Sequence, residues 1–241
     1  MDSAIAARLV DLNRDFYSRF GGSFSATRGR LQPGVLRILS GLGGAESILD
    51  LGCGNGGLAR ELARRGHRGR YLGLDFSPPL LRDARFGLKD LDAAFIQVDL
   101  TRPLNTEHWS LNTDYWPLVT CFAVLHHIPA EAARLDILRS VRGLLSPGGR
   151  FILSNWQFLN SEKLRRRIQP WEAAGLAPAD VDPGDYLLDW KRDGAGLRYV
   201  HHFSLDELSN LAAQCGFHVV ESFSSDGAGG NLGLYQVWAG V

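Results

Sequence analysis

The stretch Ser47–Gly57, SILDLGCGNGG, constrains the fold of this chain more than any other. A short apolar run ends on Asp50 and enters a turn built from Gly52, Gly54, Gly56 and Gly57. GLARELARRG then reads as a helix that Gly66 stops. A strand, a glycine turn and a helix in that order form the first half of a parallel crossover unit. Gly52, Gly54 and Gly57 spell G-x-G-x-x-G, the spacing of a dinucleotide loop, but a tight strand-to-helix turn needs the same glycines. Asp50 weighs against a bound pyrophosphate, which it would repel. A ligand with a cationic amino group would gain from it.

The alternation continues. YLGLD is a second strand, PPLLRDARFGL a helix with prolines at its entrance, AFIQVDL a third strand and PLVTCFAV a fourth. ARLDILRSVRGLL places Leu138, Val141, Leu144 and Leu145 on one helical face, and Pro147-Gly148-Gly149 turns into RFILSNW, a fifth strand. This order implies a doubly wound parallel sheet. Residues 1–44 read as a helical cap broken at GGSFSATRGR, and 45–156 as the ligand-binding core. In 157–203 the pattern lapses into KLRRR, PADVDPGD and RDGAG, which reads as an insert or lid rather than sheet. In 204–241 a helix opens with a Ser204–Glu207 capping box and a Phe203–Leu208 staple and stops at Gly216. FHVVESF and LYQVWAGV follow as two strands joined without a helix, so they should pair antiparallel. The whole is expected to be one domain.

Charge and cysteine content exclude several classes. Acidic and basic residues balance at 26 each, which gives no global field for nucleic acid, although a local basic patch is compatible with it. No apolar run approaches the ~18–20 residues of a membrane span. MDSAIAARLVDLNRDFYSRF lacks the apolar core of a signal peptide. Cys53, Cys121 and Cys215 are sparse and far apart, which points away from disulfides and zinc and toward a reducing, cytoplasmic location. His126-His127 and His201-His202 lack a reliable third ligand, so no metal site is expected.

Acids recur at successive strand ends: Asp50, Asp75 and Asp99. Ligands of open α/β sheets bind outside the carboxyl ends of the strands, so all three aim at one crevice. DLGCGNG, LGLDFS, VDL, FAVLHHIP and LLSPGGRFIL, in this order, resemble the motifs of the class I S-adenosylmethionine-dependent methyltransferases over residues 45–155. The resemblance implies a Rossmann-like seven-stranded sheet, mostly parallel with an antiparallel last strand, plus N-terminal helices and a small lid insert. It implies that Asp50 and the loop of Gly52, Gly54 and Gly56 hold the methionine part of the cofactor. Asp75 with Phe76 would take the ribose, Asp99 and Leu100 would border the adenine, and Phe122 and Ala123 would lie beneath the ligand. Pro117 departs from the family, where many members carry an acid before strand four. An NAD-dependent dehydrogenase is the competing class, and Asp50 and the Pro-Gly-Gly segment count against it.

Both flanks carry a narrower resemblance. Phe24-Ser25-Ala26-Thr27-Arg28 resembles a Phe-Ser-x-Thr-Arg stretch at the entry of the tRNA wobble-uridine carboxymethyl methyltransferases. Gly184, Asp185, Leu187, Trp190, Arg198, Tyr199, His201, Phe203, Glu207 and Leu208 match that family's second flank, with Val200 in place of a tyrosine. Such enzymes esterify a carboxylate on a modified uridine. The resemblance adds Arg28 to the cofactor side, tRNA as a partner and, as in eukaryotic relatives, a small activator protein. Arginine grips a carboxylate with two parallel hydrogen bonds, which makes Arg198 the expected acceptor anchor, with Tyr199 and His201 shaping the pocket. Lys163, Arg165, Arg166 and Arg167 beside Trp171 read either as a phosphate-contacting patch with a stacking ring or as a solvated helix face. The alternatives are a small-molecule O- or N-methyltransferase with the same core and an inactive cofactor-binding scaffold.

Overall fold

The computed structural model describes residues 1–26, 30–86, 88, 90–102, 104, 115–191 and 194–241. Helix α1 (Ser3–Ala26) runs through Gly21 and Gly22, where the sequence suggests a break. Each interior glycine costs a helix about 1 kcal/mol relative to alanine. Tertiary packing overrides that cost: Leu9, Asn13, Phe16, Tyr17 and Phe20 recur at three- and four-residue steps and are all buried. Helix α2 (Pro33–Ser40) starts on a proline, whose missing N–H is harmless there.

The core then alternates as β1 (Ile48–Leu51), α3 (Gly57–Arg64), β2 (Tyr71–Asp75), α4 (Pro78–Ala84), β3 (Ala93–Gln97), β4 (Trp116–Phe122), α5 (Glu131–Leu144) and β5 (Leu145–Trp156). After it come α6 (Glu162–Arg165), β6 (Ile168–Gln169), β7 (Asp185–Trp190), β8 (Gly196–His201), α7 (Leu205–Gln214), β9 (Phe217–Ser225) and β10 (Gly233–Gly240). Seven strands form one sheet in the order β3-β2-β1-β4-β5-β10-β9. Strands β1 to β5 pair in parallel, and β10 runs antiparallel to both β5 and β9. This is the expected Rossmann-like sheet with an antiparallel last strand.

Strand β1 is buried throughout, as a central parallel strand covered on both faces must be. Leu49, Leu51, Leu72 and Leu74 join a core with α5 and α7, whereas Ile48 and Tyr71 join one with α2 and α3. The strand order reverses between β1 and β4, which opens a crevice at their carboxyl ends.

Residues 157–203 correct the sequence reading. They hold a three-stranded antiparallel sheet, β6-β7-β8, in which Leu187 faces Tyr199 and Leu188 faces Arg198. Of the turn-rich RDGAG segment, Gly194 and Ala195 precede β8 and Gly196 begins it. The strands do not alternate apolar with polar because Asp185, Asp189, Arg198 and His201 are all buried. The stretch RYVHHF is thus mostly strand, with Arg198 to His201 inside β8.

Candidate active site

The crevice has a volume of about 510 Å³, within the range of small-ligand pockets. Its floor is the glycine turn after β1. Gly52 sits at φ 71°, and a Cβ there would lie 2.2 Å from a Val124 methyl. Only glycine fits a position that needs both this backbone and this approach. The Gly52 and Cys53 amides both donate to the Leu74 carbonyl, at 2.7 and 2.9 Å, tying the turn to β2.

Asp75 completes that tie. Its two oxygens accept from the amides of Gly54 and Ser77, each at 2.9 Å. Burial pushes its carboxyl up, against the pull of these amide donors. A carboxylate offers about four lone-pair sites, so acceptor capacity remains for ligand hydroxyls. Asp75→Ala should therefore weaken binding of S-adenosylhomocysteine by ten- to a hundredfold or more, since a hydrogen bond to a charged group is worth about 1.5–3 kcal/mol. Unchanged affinity by titration calorimetry would remove Asp75 from the ribose site.

Asp50 is only 4% exposed and accepts from the Tyr71 hydroxyl at 2.6 Å and the Thr120 hydroxyl at 2.7 Å. Burial pushes its carboxyl up to about 6, outweighing those two donors. Because the folded pKa is raised, the free protein loses stability from this group as pH rises from about 4 toward 6, by up to about 3 kcal/mol. A neighbouring cationic amino group favours the ionised form, so ligand affinity should move the other way. S-adenosylhomocysteine should bind more tightly as pH rises through 6, and Asp50→Asn should flatten that profile. An identical profile in the variant would sever Asp50 from the ligand.

Asp99 accepts from the Thr101 hydroxyl at 2.6 Å, from its amide at 3.0 Å, and from Arg14 of α1. Burial pushes the Asp99 carboxyl up, but the Thr101 hydrogen bonds and the Arg14 charge outweigh it and hold it below its usual range. Phe76, Leu100, Phe122 and Ala123 also line the crevice. Ala123 has φ 58°, rare for a residue with a side chain, and its amide donates to the Ser154 carbonyl at 2.9 Å. Such strained backbone concentrates at functional sites.

Arg198 is 4% exposed and lines the same crevice. Its guanidinium carbon lies 4.8 Å from the Trp156 ring centroid and 5.5 Å from that of Phe16. Stacking on aromatic faces holds the planar group by cation–π attraction.

Three of the expected residues lie off the crevice. Gly56 does not line the crevice. It caps α3 at φ 77°, against the Ala84 backbone. Tyr199 and His201 do not line it either, because successive residues of a strand point to opposite faces, so both lie opposite Arg198. The Tyr199 hydroxyl donates to Asp185 at 2.6 Å. The His201 ring faces Asp185 at 2.7 Å and Glu207 at 2.8 Å. Carboxylates only accept, so an imidazole bonded to two of them must donate from both nitrogens and carry a proton. Burial opposes that charge, but the two carboxylates outweigh it and raise the His201 pKa. The Ser204 hydroxyl accepts from the Glu207 amide at 3.1 Å, as the capping box requires, while the Glu207 carboxylate also serves His201.

Trp171 is buried against Leu9, Leu176 and Tyr199, so its ring is not offered for stacking. Arg167 pairs with Asp189, whereas Lys163, Arg165 and Arg166 are exposed. Thr27 and Arg28, and the side chains of Phe24, Ser25 and Ala26, lie outside the described residues.

Asn13, Arg14, Tyr17, His126, His127, Trp156, Asp226 and Tyr235 also line the crevice. The sequence does carry a signal for the first of these: Val10, Asn13, Arg14 and Tyr17 stand at helical spacing and form one edge of α1. Asp226 sits at φ 72° and accepts from the Gly34 amide at 2.9 Å and the Tyr235 hydroxyl at 2.7 Å. A Cβ at Gly34 would lie 2.3 Å from the Tyr235 ring, so glycine permits this junction of α2 with β10.

The residues present fit S-adenosylmethionine. Gly54 leaves open space where a Cβ would stand, and acids end the first two strands of the crevice. Comparison with known proteins agrees. The family profile described as "Methyltransferase domain" matches residues 49–151. A protein of Encephalitozoon cuniculi named as a methyltransferase is 31% identical over 214 residues, which cover 86% of this chain and 87% of that one. The ubiquinone biosynthesis O-methyltransferase of Aeromonas salmonicida is 36% identical over 107 residues, 44% of this chain and 42% of that protein. Among solved structures, an S-adenosylmethionine-dependent methyltransferase of Methanosarcina mazei superposes with TM-score 0.64 at 23% identity, over 86% of this chain and 97% of that one. A Haloferax volcanii methyltransferase, solved in complex with its activator, superposes with TM-score 0.66 at 18% identity, over 94% and 96%. The chain belongs to the class I methyltransferase family and is an S-adenosylmethionine-dependent enzyme.

Proposed function

We propose that this enzyme esterifies a carboxylate, and that the acceptor is a modified uridine at the wobble position of tRNA. The observation that carries this reading is Arg198, a buried cation in the crevice wall whose guanidinium lies over the Trp156 and Phe16 rings. A carboxylate has a pKa near ~4 and is already ionised at neutral pH, so it needs no general base before attack. When bound, S-adenosylmethionine supplies an electrophilic methyl group. Asp50, Asp75 and the turn of Gly52 and Gly54 would hold it, and its sulfur would keep the electron pair of the carbon–sulfur bond as the methyl carbon passed to a carboxylate oxygen. Arg198 orients the acceptor, and the aromatic walls exclude water. Orientation alone can supply several kcal/mol of a barrier. His127 suits this picture, because its ring nitrogens face the Tyr199 carbonyl and the Tyr17 hydroxyl.

The tRNA assignment draws support from the two flanking resemblances and from exposed Lys163, Arg165 and Arg166, which would meet phosphates. It extends to a small activator subunit, as the Haloferax volcanii methyltransferase has. It also implies a cytoplasmic site of action, which suits three buried free cysteines. Among the described residues, no helix is long and apolar enough to cross a membrane.

The test is incubation with methyl-labelled cofactor and bulk tRNA, alone and with a co-expressed activator. Label should enter tRNA and leave it as methanol under mild alkali. Transfer only to small molecules would overturn the tRNA assignment. A small-molecule O- or N-methyltransferase is the second reading, favoured by the match to ubiquinone biosynthesis enzymes. The complete set of acids and glycines weighs against an inactive scaffold.

A further inference from the structure

We propose that Asn13 and His127 are positioning residues that set the acceptor arginine through the backbone of Tyr199. This inference rests on the reading of Arg198 given above. Strand β8 lies at the edge of the insert sheet, with β7 on one side only. An edge strand presents a row of N–H and C=O groups that other partners must satisfy. At Tyr199 both groups are taken by a single side chain. Asn13 Oδ1 accepts from the Tyr199 amide at 2.8 Å, and Asn13 Nδ2 donates to the Tyr199 carbonyl at 3.2 Å. The carboxamide thus stands where the peptide of a further strand would stand. The second Nδ2 hydrogen reaches the His127 carbonyl, also at 3.2 Å. An aspartate could accept from the amide but could make neither donation.

His127 closes the knot. Its Nδ1 lies 3.3 Å from the same Tyr199 carbonyl. A carbonyl only accepts, so Nδ1 carries the hydrogen, and in the neutral ring Nε2 then accepts from the Tyr17 hydroxyl at 2.9 Å. Helix α1, the turn after β4 and strand β8 therefore meet one residue from Arg198. The turn after β4 is also the floor of the crevice, where Ala123 and Val124 lie. The knot fixes the arginine's strand relative to the surface that carries the cofactor. An arginine side chain is long, so its head group is placed only as well as its backbone is. A misplacement of about 1 Å can cost on the order of a hundredfold in rate.

The experiment compares Asn13→Leu, Asn13→Asp, His127→Asn and His127→Gln with wild type. An asparagine places its amide near the position of histidine Nδ1, and a glutamine near that of Nε2. Single-turnover methyl transfer to bulk tRNA should fall by roughly tenfold or more in Asn13→Leu, Asn13→Asp and His127→Gln. His127→Asn should keep most of the rate, and in the other three variants the transfer rate should fall further than S-adenosylhomocysteine affinity does. Adding Asn13→Leu to Arg198→Ala should cost little further, because both act through one group. Additive losses, or equal losses in His127→Asn and His127→Gln, would overturn the inference. Arg198→Ala with full activity would instead overturn the reading of the acceptor site. A second readout does not depend on the acceptor. Hydrogen exchange of the Tyr199 amide should accelerate in Asn13→Leu while the Gly52–Gly57 turn stays protected, and unchanged Tyr199 protection would sink the clamp.

Discussion

Arg198→Ala should lose methyl transfer by about a hundredfold or more while binding S-adenosylhomocysteine as wild type does. The size follows from what the guanidinium supplies. A hydrogen bond to a charged partner contributes about 1.5–3 kcal/mol, and a bidentate grip makes two of them. The separation of effects follows from place. Arg198 reaches the crevice from β8 in the insert sheet, whereas Asp50 and Asp75 reach it from β1 and β2. Arg198→Lys keeps the charge but loses the planar fork and the fit between Phe16 and Trp156, so it should restore little. Equal loss of cofactor affinity and transfer rate would mean that Arg198 serves the fold or the cofactor. Unchanged transfer to the true acceptor would remove it from the site.

His201→Ala should be the most destabilising of the substitutions considered, by about 3–5 kcal/mol. It leaves Asp185 buried without its cationic partner, and breaking a buried pair from one side has this cost. For a chain of this size that corresponds to a fall in melting temperature of about 6–20 °C. The pH dependence has a definite sign. The folded pKa of His201 is raised, so its contribution is complete below the unfolded value near ~6.5 and fades as pH rises through the folded value. The gap in melting temperature between wild type and His201→Ala should therefore narrow from pH 6 to alkaline pH. A constant gap would show that His201 contributes packing alone. Tyr199→Phe should cost less, since Asp185 keeps His201 and the amide of Asp182.

The seven-stranded sheet was legible because its central strands are covered on both faces and read as apolar runs between glycines, as ILDL and YLGLD do. The acids at their ends were legible because strand topology alone sends Asp50, Asp75 and Asp99 to one rim. The insert was not legible, and the cause is its buried charge. Asp185, Asp189, Arg198 and His201 break the apolar pattern of β7 and β8, and charges are matched only in the fold: Arg167 and Lys191 for Asp189, and Asp185 and Glu207 for His201. The same concealment hides that Tyr199 and His201 lie on the face opposite Arg198. Adjacent polar residues in RYVHHF look like one cluster until the stretch is known to be a strand, whereupon period-two alternation sends them to opposite sides. Asn13 was missed for a different reason. Its partners are backbone atoms of β8 and of the turn after β4, which no side-chain motif records.

Among the described residues the two sheets share no ladder: β6-β7-β8 pair with one another and not with the seven-stranded sheet. A separate module of this kind can be exchanged. Replacing residues 157–203 by the corresponding segment of a relative with another acceptor would change what is methylated without cutting a strand of the cofactor half. The joint to preserve includes Asn13 and His127 at the free edge of β8, Arg134 and Glu207 against the Tyr199 and His201 side chains, and the packing of α1 through Arg8, Leu9 and Phe16. With Arg198 as the acceptor anchor proposed above, acceptor choice would travel with the insert as a cassette.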